Sequence, residues 1–241
     1  MKLILRVFQK FAFACLLGIV CATSHALAGG LQITPVTLTL PGTKNADGIW
    51  LINEGNTVLN AQVRAYRWTQ SGYSDQLNPS QGLAISPPML TLEPGQKQLV
   101  RVIRTSPTAS HIEDAWRLSI DELPSSIRQK NKLQFVMKYS VPVFLQPVGL
   151  KDAAPELQWN VVQTDGKTFL EVRNQGNSHA QLSQVTFINA HGTRKIITPG
   201  LLGYVLPGST MRWIISSSAG DVYRGGKIEL MINGQKTIQD L

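Results

Sequence analysis

Between residues 133 and 145 every second side chain is apolar: Leu133, Phe135, Met137, Tyr139, Val141, Val143 and Leu145. A repeat of two aligns side chains on one face only in an extended strand, so a helix would scatter this row around its surface. At ~3.3 Å per residue, segment 132–147 (KLQFVMKYSVPVFLQP) would run roughly 40 Å, longer than most strands in globular domains. The other parity carries Gln134, Lys138, Ser140, Pro142 and Gln146, so one face is polar. Pro142 lacks the N–H that a regular ladder requires. Period alone is satisfied by an ordinary core strand. A long apolar edge strand, however, is an aggregation hazard unless receiving another chain is its purpose.

Most other segments also read as short strands between turns. Residues 31–40, 47–53, 59–68, 98–104 and 115–123 combine β-branched and aromatic residues with period-two alternation. Only 110–114 offers a helical turn. Residues 146–152 (QPVGLKD) read as a break, after which the strand pattern restarts at Leu157. Two hairpins are signalled by Asp165-Gly166 and Asn233-Gly234, because a type I′ turn needs positive φ at both central residues. No internal repeat is evident. The expectation is an all-β chain of two sandwich domains, 29–147 and 152–241. With 43% hydrophobic and 16% charged residues, disorder is excluded.

Residues 1–28 carry the marks of a secretory signal. Lys2, Arg6 and Lys10 make a basic start, 11–22 is almost wholly apolar, and Ala26-Leu27-Ala28 offers a small-x-small cleavage site before Gly29. The apolar run is too short to span a bilayer comfortably. Val20 before Cys21 is too bulky for a lipidation site. Removing 1–28 leaves 20 basic against 15 acidic residues, a net +5, and takes away both cysteines. That balance is too mild to point to nucleic acid. Thiol catalysis and thiolate metal sites are excluded, and the mature chain must hold together by packing alone. The expected location is the periplasm.

Enzyme chemistry finds little support. His111, His179 and His191 stand apart in sequence from any second ligand at metal spacing and read as surface residues. There is no nucleophile elbow and no glycine-rich phosphate loop. Asp121 and Glu122 are strand neighbours and point to opposite faces, so they cannot converge on one substrate. No cofactor and no metal are expected.

Ser86-Pro87-Pro88, Leu92-Glu93-Pro94-Gly95-Gln96 followed by Val100-Arg101-Val102, Asp121-Glu122-Leu123-Pro124, and Pro142-Val143-Phe144-Leu145-Gln146-Pro147 occur in this order along the chain. In order and spacing the mature chain resembles the periplasmic pilus chaperones of the chaperone-usher pathway. Val63-Arg64-Ala65-Tyr66-Arg67-Trp68 and Trp116-Arg117-Leu118 look more like the archaic branch.

The resemblance implies two immunoglobulin-like β-sandwich domains set as a boomerang. It implies that the last strand of the first domain, 132–147, inserts alternate apolar side chains into the groove of an incomplete pilus subunit, as in donor-strand complementation. The donors would be Leu133, Phe135 and Met137, with Tyr139 as a fourth. Partners would be pilus subunits, one-to-one, and an outer-membrane usher, and an unbound chaperone could pair with itself.

The resemblance implies that two basic residues anchor the subunit's C-terminal carboxylate; in the best-studied branch they fall at positions that match Thr37 and Pro142 here, and neither is basic. Strand directions place Arg104 and Arg117 towards the same domain end, so these two are the expected replacements, with Arg101, then Arg64 and Lys138, in reserve. Asp221 matches a position that ties the domains together, although its usual basic partner falls at Gln146. A secreted immunoglobulin-like adhesin or pilus subunit is the alternative. It would present an N-terminal donor segment, whereas the donor-like row here is internal.

Overall fold

The structure, a computed structural model, describes residues 30–105, 111–124, 135–150, 152–215 and 226–241. The signal segment, Leu133 and Asp221 lie outside the described residues. Seventeen strands account for every regular element among the described residues. The helical turn expected at 110–114 is not formed in the described part, because Asp114 already opens a strand.

The first ten strands make two facing sheets. One is β1 (Leu31–Thr34), β3 (Ala46–Asn53), β8 (Lys97–Arg104) and β6 (Leu83–Ser86), in that order. The other runs β2 (Leu38–Leu40), β10 (Lys138–Leu145), β9 (Asp114–Leu123), β4 (Leu59–Ser71) and β5 (Ser74–Pro79), with β7 (Met89–Leu92) pairing the start of β4. Alternate residues from both sheets meet in one core, including Ile49, Leu51, Val63, Val100, Val102, Trp116, Leu118 and Ile120. The remaining strands make a second sandwich. Its sheets are β11 (Leu157–Thr164), β12 (Lys167–Asn174) and β15 (Thr210–Ile214), against β14 (Arg194–Val205), β13 (Ala180–Ile188), β16 (Lys227–Ile232) and β17 (Gln235–Asp240). Leu170, Val172, Leu182, Phe187, Val205, Ile228 and Leu230 fill its core.

Both expected hairpins form. Asp165 and Gly166 have φ of 51° and 70°, Asn233 and Gly234 of 49° and 80°, and strand pairing begins on the flanking residues. A third hairpin, β4–β5, turns at Gly72 and Tyr73, with φ of 58° and 63°.

The two sandwiches share a device that the sequence reading overlooked. β3 ends at Asn53 in Asn53-Glu54-Gly55-Asn56, and β12 ends at Asn174 in Asn174-Gln175-Gly176-Asn177. Both carboxamides are buried and doubly used. Asn53 Nδ2 donates to the carbonyls of Thr57 and Leu92, at 2.8 and 2.9 Å, and its Oδ1 accepts from Gly55 N. Asn174 Nδ2 donates to Ser178 and Val205, at 2.7 and 3.0 Å, while its Oδ1 accepts from Gly176 N and Glu156 N. Each side chain therefore pins a turn to a strand of the facing sheet or its end.

Removing either carboxamide strands buried carbonyls without donors, which costs about 1–3 kcal/mol each time. Asn53→Ala and Asn174→Ala are each expected to lower the urea midpoint by that margin without changing the slope of the transition. A loss under half a kcal/mol in both variants, on the same scale, would remove the shared role assigned to them.

Candidate functional site

β10 holds three different environments in one strand. Its ladder with β9 runs from Lys138 opposite Asp121 to Leu145 opposite Asp114. Val141, Val143 and Leu145 point into the first core. Phe144, on the opposite face, is fully buried in a separate cluster with Trp68, Ala115, Tyr204 and Leu206. The polar face expected from the sequence therefore ends where the second sandwich covers it.

The outer edge of β10 is only partly covered. β2 pairs in parallel with Val143–Leu145 and stops there. Among the described residues no strand pairs with that edge from Lys138 to Pro142. Upstream, Glu122 N still donates to Met137 O at 2.9 Å, and Met137 N to the Glu122 carboxylate at 3.1 Å. Phe135 is 78% exposed and Met137 53% exposed. Tyr139 differs from them: it packs on its own core, and its hydroxyl donates to Glu122 Oε1 at 3.3 Å. The apolar row thus passes from core to solvent between Tyr139 and Met137. The regular strand is shorter than the 132–147 run read from the sequence, starting at Lys138.

Opposite charges fix the start of this free edge. Asp121 accepts from Arg64 Nη2 at 2.6 Å and from Ser119 Oγ at 3.1 Å, and Lys138 Nζ stands 3.8 Å away. Partial burial would raise the Asp121 carboxyl, but the bonds from Arg64 and Ser119 outweigh it and hold the group below its ordinary value.

The five arginine and lysine alternatives for an anchor now separate. Arg101 lies between the core residues Val100 and Val102 on β8, so it points out from the other sheet, away from β10. Arg104 does reach β10, but as a clamp. Its Nη2 donates to the carbonyls of Leu40 and Gln146, both at 3.1 Å, across the ends of β2 and β10. Arg64 and Lys138 are engaged by Asp121. Arg117 alone sits on the outer face opposite Pro142 without an ion pair among the described residues. The expected pair of Arg104 with Arg117 is therefore not assembled. The two belong to opposite ends of the Pro142–Gln146 stretch, roughly 13 Å apart along a strand.

Arg117 Cζ lies 3.7 Å from the ring centre of Trp68 and 5.2 Å from that of Tyr204. Burial lowers its pKa, which Asp75 and Tyr204 oppose; an arginine guanidinium in a protein stays charged. Trp68 meets Tyr204 edge-on at 5.2 Å. Its indole N–H is buried without an acceptor, so the π face is what this tryptophan contributes.

The same region joins the two sandwiches. Gln70, near the end of β4, donates from Nε2 to Tyr204 O at 2.9 Å and accepts from Leu206 N at 2.8 Å. Its amide thereby mimics one rung of a β ladder. Arg212 of β15 lies over the rings of Tyr73 and Phe169, at 4.0 and 4.8 Å. Glu113, its side chain 1% exposed, accepts from His179 N at 3.0 Å and meets His179 Nδ1 at 2.6 Å. The His179 ring stacks on Phe144 at 3.4 Å. His179 is thus a junction residue, against the expectation of a surface histidine; its carboxylate partner is 66 positions away in sequence. His111 and His191 are exposed as expected.

These features meet known proteins at the level of a family. Residues 30–151 match the family described as pili and flagellar-assembly chaperone, PapD N-terminal domain. The chain belongs to this family. It is 23% identical to the chaperone protein PmfD of Proteus mirabilis (strain HI4320), over 79% of this chain and 78% of that protein. It is also 23% identical to the probable fimbrial chaperone SfmC of Escherichia coli (strain K12), over 74% and 75%. Among solved structures, the complex of CsuC with the tip adhesion subunit CsuE from archaic chaperone-usher Csu pili of Acinetobacter baumannii aligns with a TM-score of 0.69. That alignment has 26% identity and covers 88% of this chain and 97% of the matched one. The YadV chaperone aligns at 0.65 with 17% identity, over 88% and 98%, a likeness of fold. This pilus-assembly chaperone therefore has the two-sandwich fold of its family, whose fimbrial members are periplasmic.

The Asp121 network carries a pH dependence. A carboxyl held below its ordinary value stabilises the fold fully above the unfolded value, about 3.9. That contribution disappears as pH falls through the lower folded value. The urea midpoint of the chaperone is expected to fall as pH drops below about 4, and Asp121→Asn to flatten that part of the decline. Parallel profiles for the two proteins would show that Asp121 contributes nothing to acid sensitivity.

Proposed function

We propose that this chain is exported through cleavage of residues 1–28 and acts in the periplasm as a donor-strand chaperone for pilus subunits, which it delivers to an outer-membrane usher. In this reading residues 29–147 form the donor domain, 152–241 the second domain, and no cofactor takes part. The observation that carries the reading is the passage of one apolar row from the chaperone's own core into solvent along an uncovered strand edge. Phe135 and Met137 stand in water where the row continues, and from Lys138 to Pro142 the backbone edge away from β9 has no neighbouring strand among the described residues.

A subunit that lacks one strand can take both offers at once. Its groove receives the side chains of Leu133, Phe135 and Met137, each worth about 1.5–3 kcal/mol when buried. The backbone edge supplies the ladder and sets register. Tyr139 serves as the border between donor row and core, because its ring and hydroxyl are already engaged. Arg117 receives the subunit's C-terminal carboxylate. It is the cation on the β10 face with no ion pair among the described residues, and its planar fork suits a carboxylate. Arg104 keeps the ends of β2 and β10 together.

The test is to express the tagged full chain in its native bacterial background and measure native masses of periplasmic complexes. The expected result is a one-to-one complex with a small secreted protein that aggregates when expressed alone. Free chain or self-dimer only, in cells that make pili, would overturn the reading. Phe135→Asp and Met137→Asp should each abolish the complex while thermal unfolding stays within a degree or two of the wild type, because both side chains are exposed. Full complex yield with both variants would remove the donor assignment.

A further inference from the structure

The guanidinium of Arg117 belongs to the first sandwich but is held from both. Trp68 of β4 lies beneath it, and Tyr204, at the end of β14 in the second sandwich, stands beside Trp68 and flanks it. Tyr204 is itself fixed at three points. Its hydroxyl accepts from Gln181 Nε2 at 2.8 Å, its carbonyl accepts from Gln70 Nε2, and its ring abuts Trp68. An arginine side chain has several soft torsions and loses much freedom when it must present one edge. Contact with ring faces restrains the guanidinium while leaving its N–H edge available. No carboxylate of the chain takes up that edge among the described residues.

We infer that Tyr204 is a positioning residue for the carboxylate site, so that the site is complete only while the two sandwiches are docked at this junction. The inference rests on the reading of Arg117 as the subunit anchor. By linkage, docking of the sandwiches strengthens capture of the subunit, and capture strengthens docking by the same factor. The second sandwich then contributes to client binding through its hold on Arg117.

The probe is the subunit that co-purifies with the wild-type chaperone, used in two forms: with its natural C-terminus, and with two glycines added so that the carboxylate moves about 7 Å. Bound-to-free ratios of co-expressed pairs are read by native mass spectrometry. Arg117→Ala should lower the ratio at least tenfold for the natural form and leave the extended form unchanged. Tyr204→Leu should lower it roughly three- to tenfold, the size of one cation–π contact, again for the natural form only. Tyr204→Phe keeps the ring and should recover most of that loss. A Tyr204→Leu variant that weakens both forms alike, or neither, while Arg117→Ala acts as stated, overturns the positioning role and leaves the anchor standing. If Arg117→Ala has no effect on the natural form, the anchor reading fails and the inference with it.

Discussion

The ladder between β9 and β10 sets the position of everything else in this chaperone. Side chains alternate along a strand, so a slip of one residue would exchange the two faces of β10. Val141, Val143 and Leu145 would leave the first core and Phe144 would leave the junction. Three separate contacts hold the register. Asp121 gathers Arg64 and Lys138 at the start of the ladder. β2 pairs in parallel with its last three residues, and Arg104 bridges the ends of both strands. With the lower part of the strand fixed in this way, Met137 and Phe135 have no choice of face. Their exposure is a consequence of where the core stops, and that is what makes a donor row physically coherent.

The junction follows from the length of the β4–β5 hairpin. β4 is the longest strand of the fold, and its far end carries Trp68 and Gln70 beyond the first core. Two cation–π contacts then run in opposite directions. Arg117 of the first sandwich meets Tyr204 of the second, and Arg212 of the second meets Tyr73 at the hairpin tip. Each such contact is modest, about 0.5–2 kcal/mol. The Glu113–His179 pair and the Gln70 rung add directional bonds where the apolar cluster alone would let the domains pivot.

Local chemistry made much of this fold legible. Asp165-Gly166 and Asn233-Gly234 announce their hairpins because the residues themselves supply positive φ. The row through 133–145 announces its strand by period. What stayed hidden depends on contacts far apart in sequence. Phe144 sits at a nominally polar parity and is buried only because the second sandwich covers it. Nothing near His179 reveals Glu113. The Gly72-Tyr73 turn lacks an Asx residue, and Tyr73 occupies a positive φ while its ring carries Arg212. The buried asparagines had a signal, the recurring Asn-x-Gly-Asn at 53–56 and 174–177, but four residues do not stand out without the strand ends that give them meaning. For the anchor, strand direction brought Arg104 and Arg117 to one domain end, but could not show that Arg104 would be taken up by backbone carbonyls.

That difference between the arginines is the physical argument for the proposed site. Arg64 and Arg67 each have a carboxylate of the chain at 2.6 or 2.7 Å, and both partners lie near the surface. Arg104 has two carbonyls. Arg117 loses water to burial and gains aromatic faces and the more distant charge of Asp75 in return, with no carboxylate in ion-pair contact among the described residues. Desolvating a cation without an anion is costly unless something completes the site. An internal aspartate beside Arg117 would have stabilised the free chaperone and then competed with any incoming carboxylate. Two rings neutralise less but leave the N–H edge open, and in the proposed reading that edge meets the chain end of a client. In the proposed reading the subunit's terminus meets a cation already oriented and already short of water, where a carboxylate gains most.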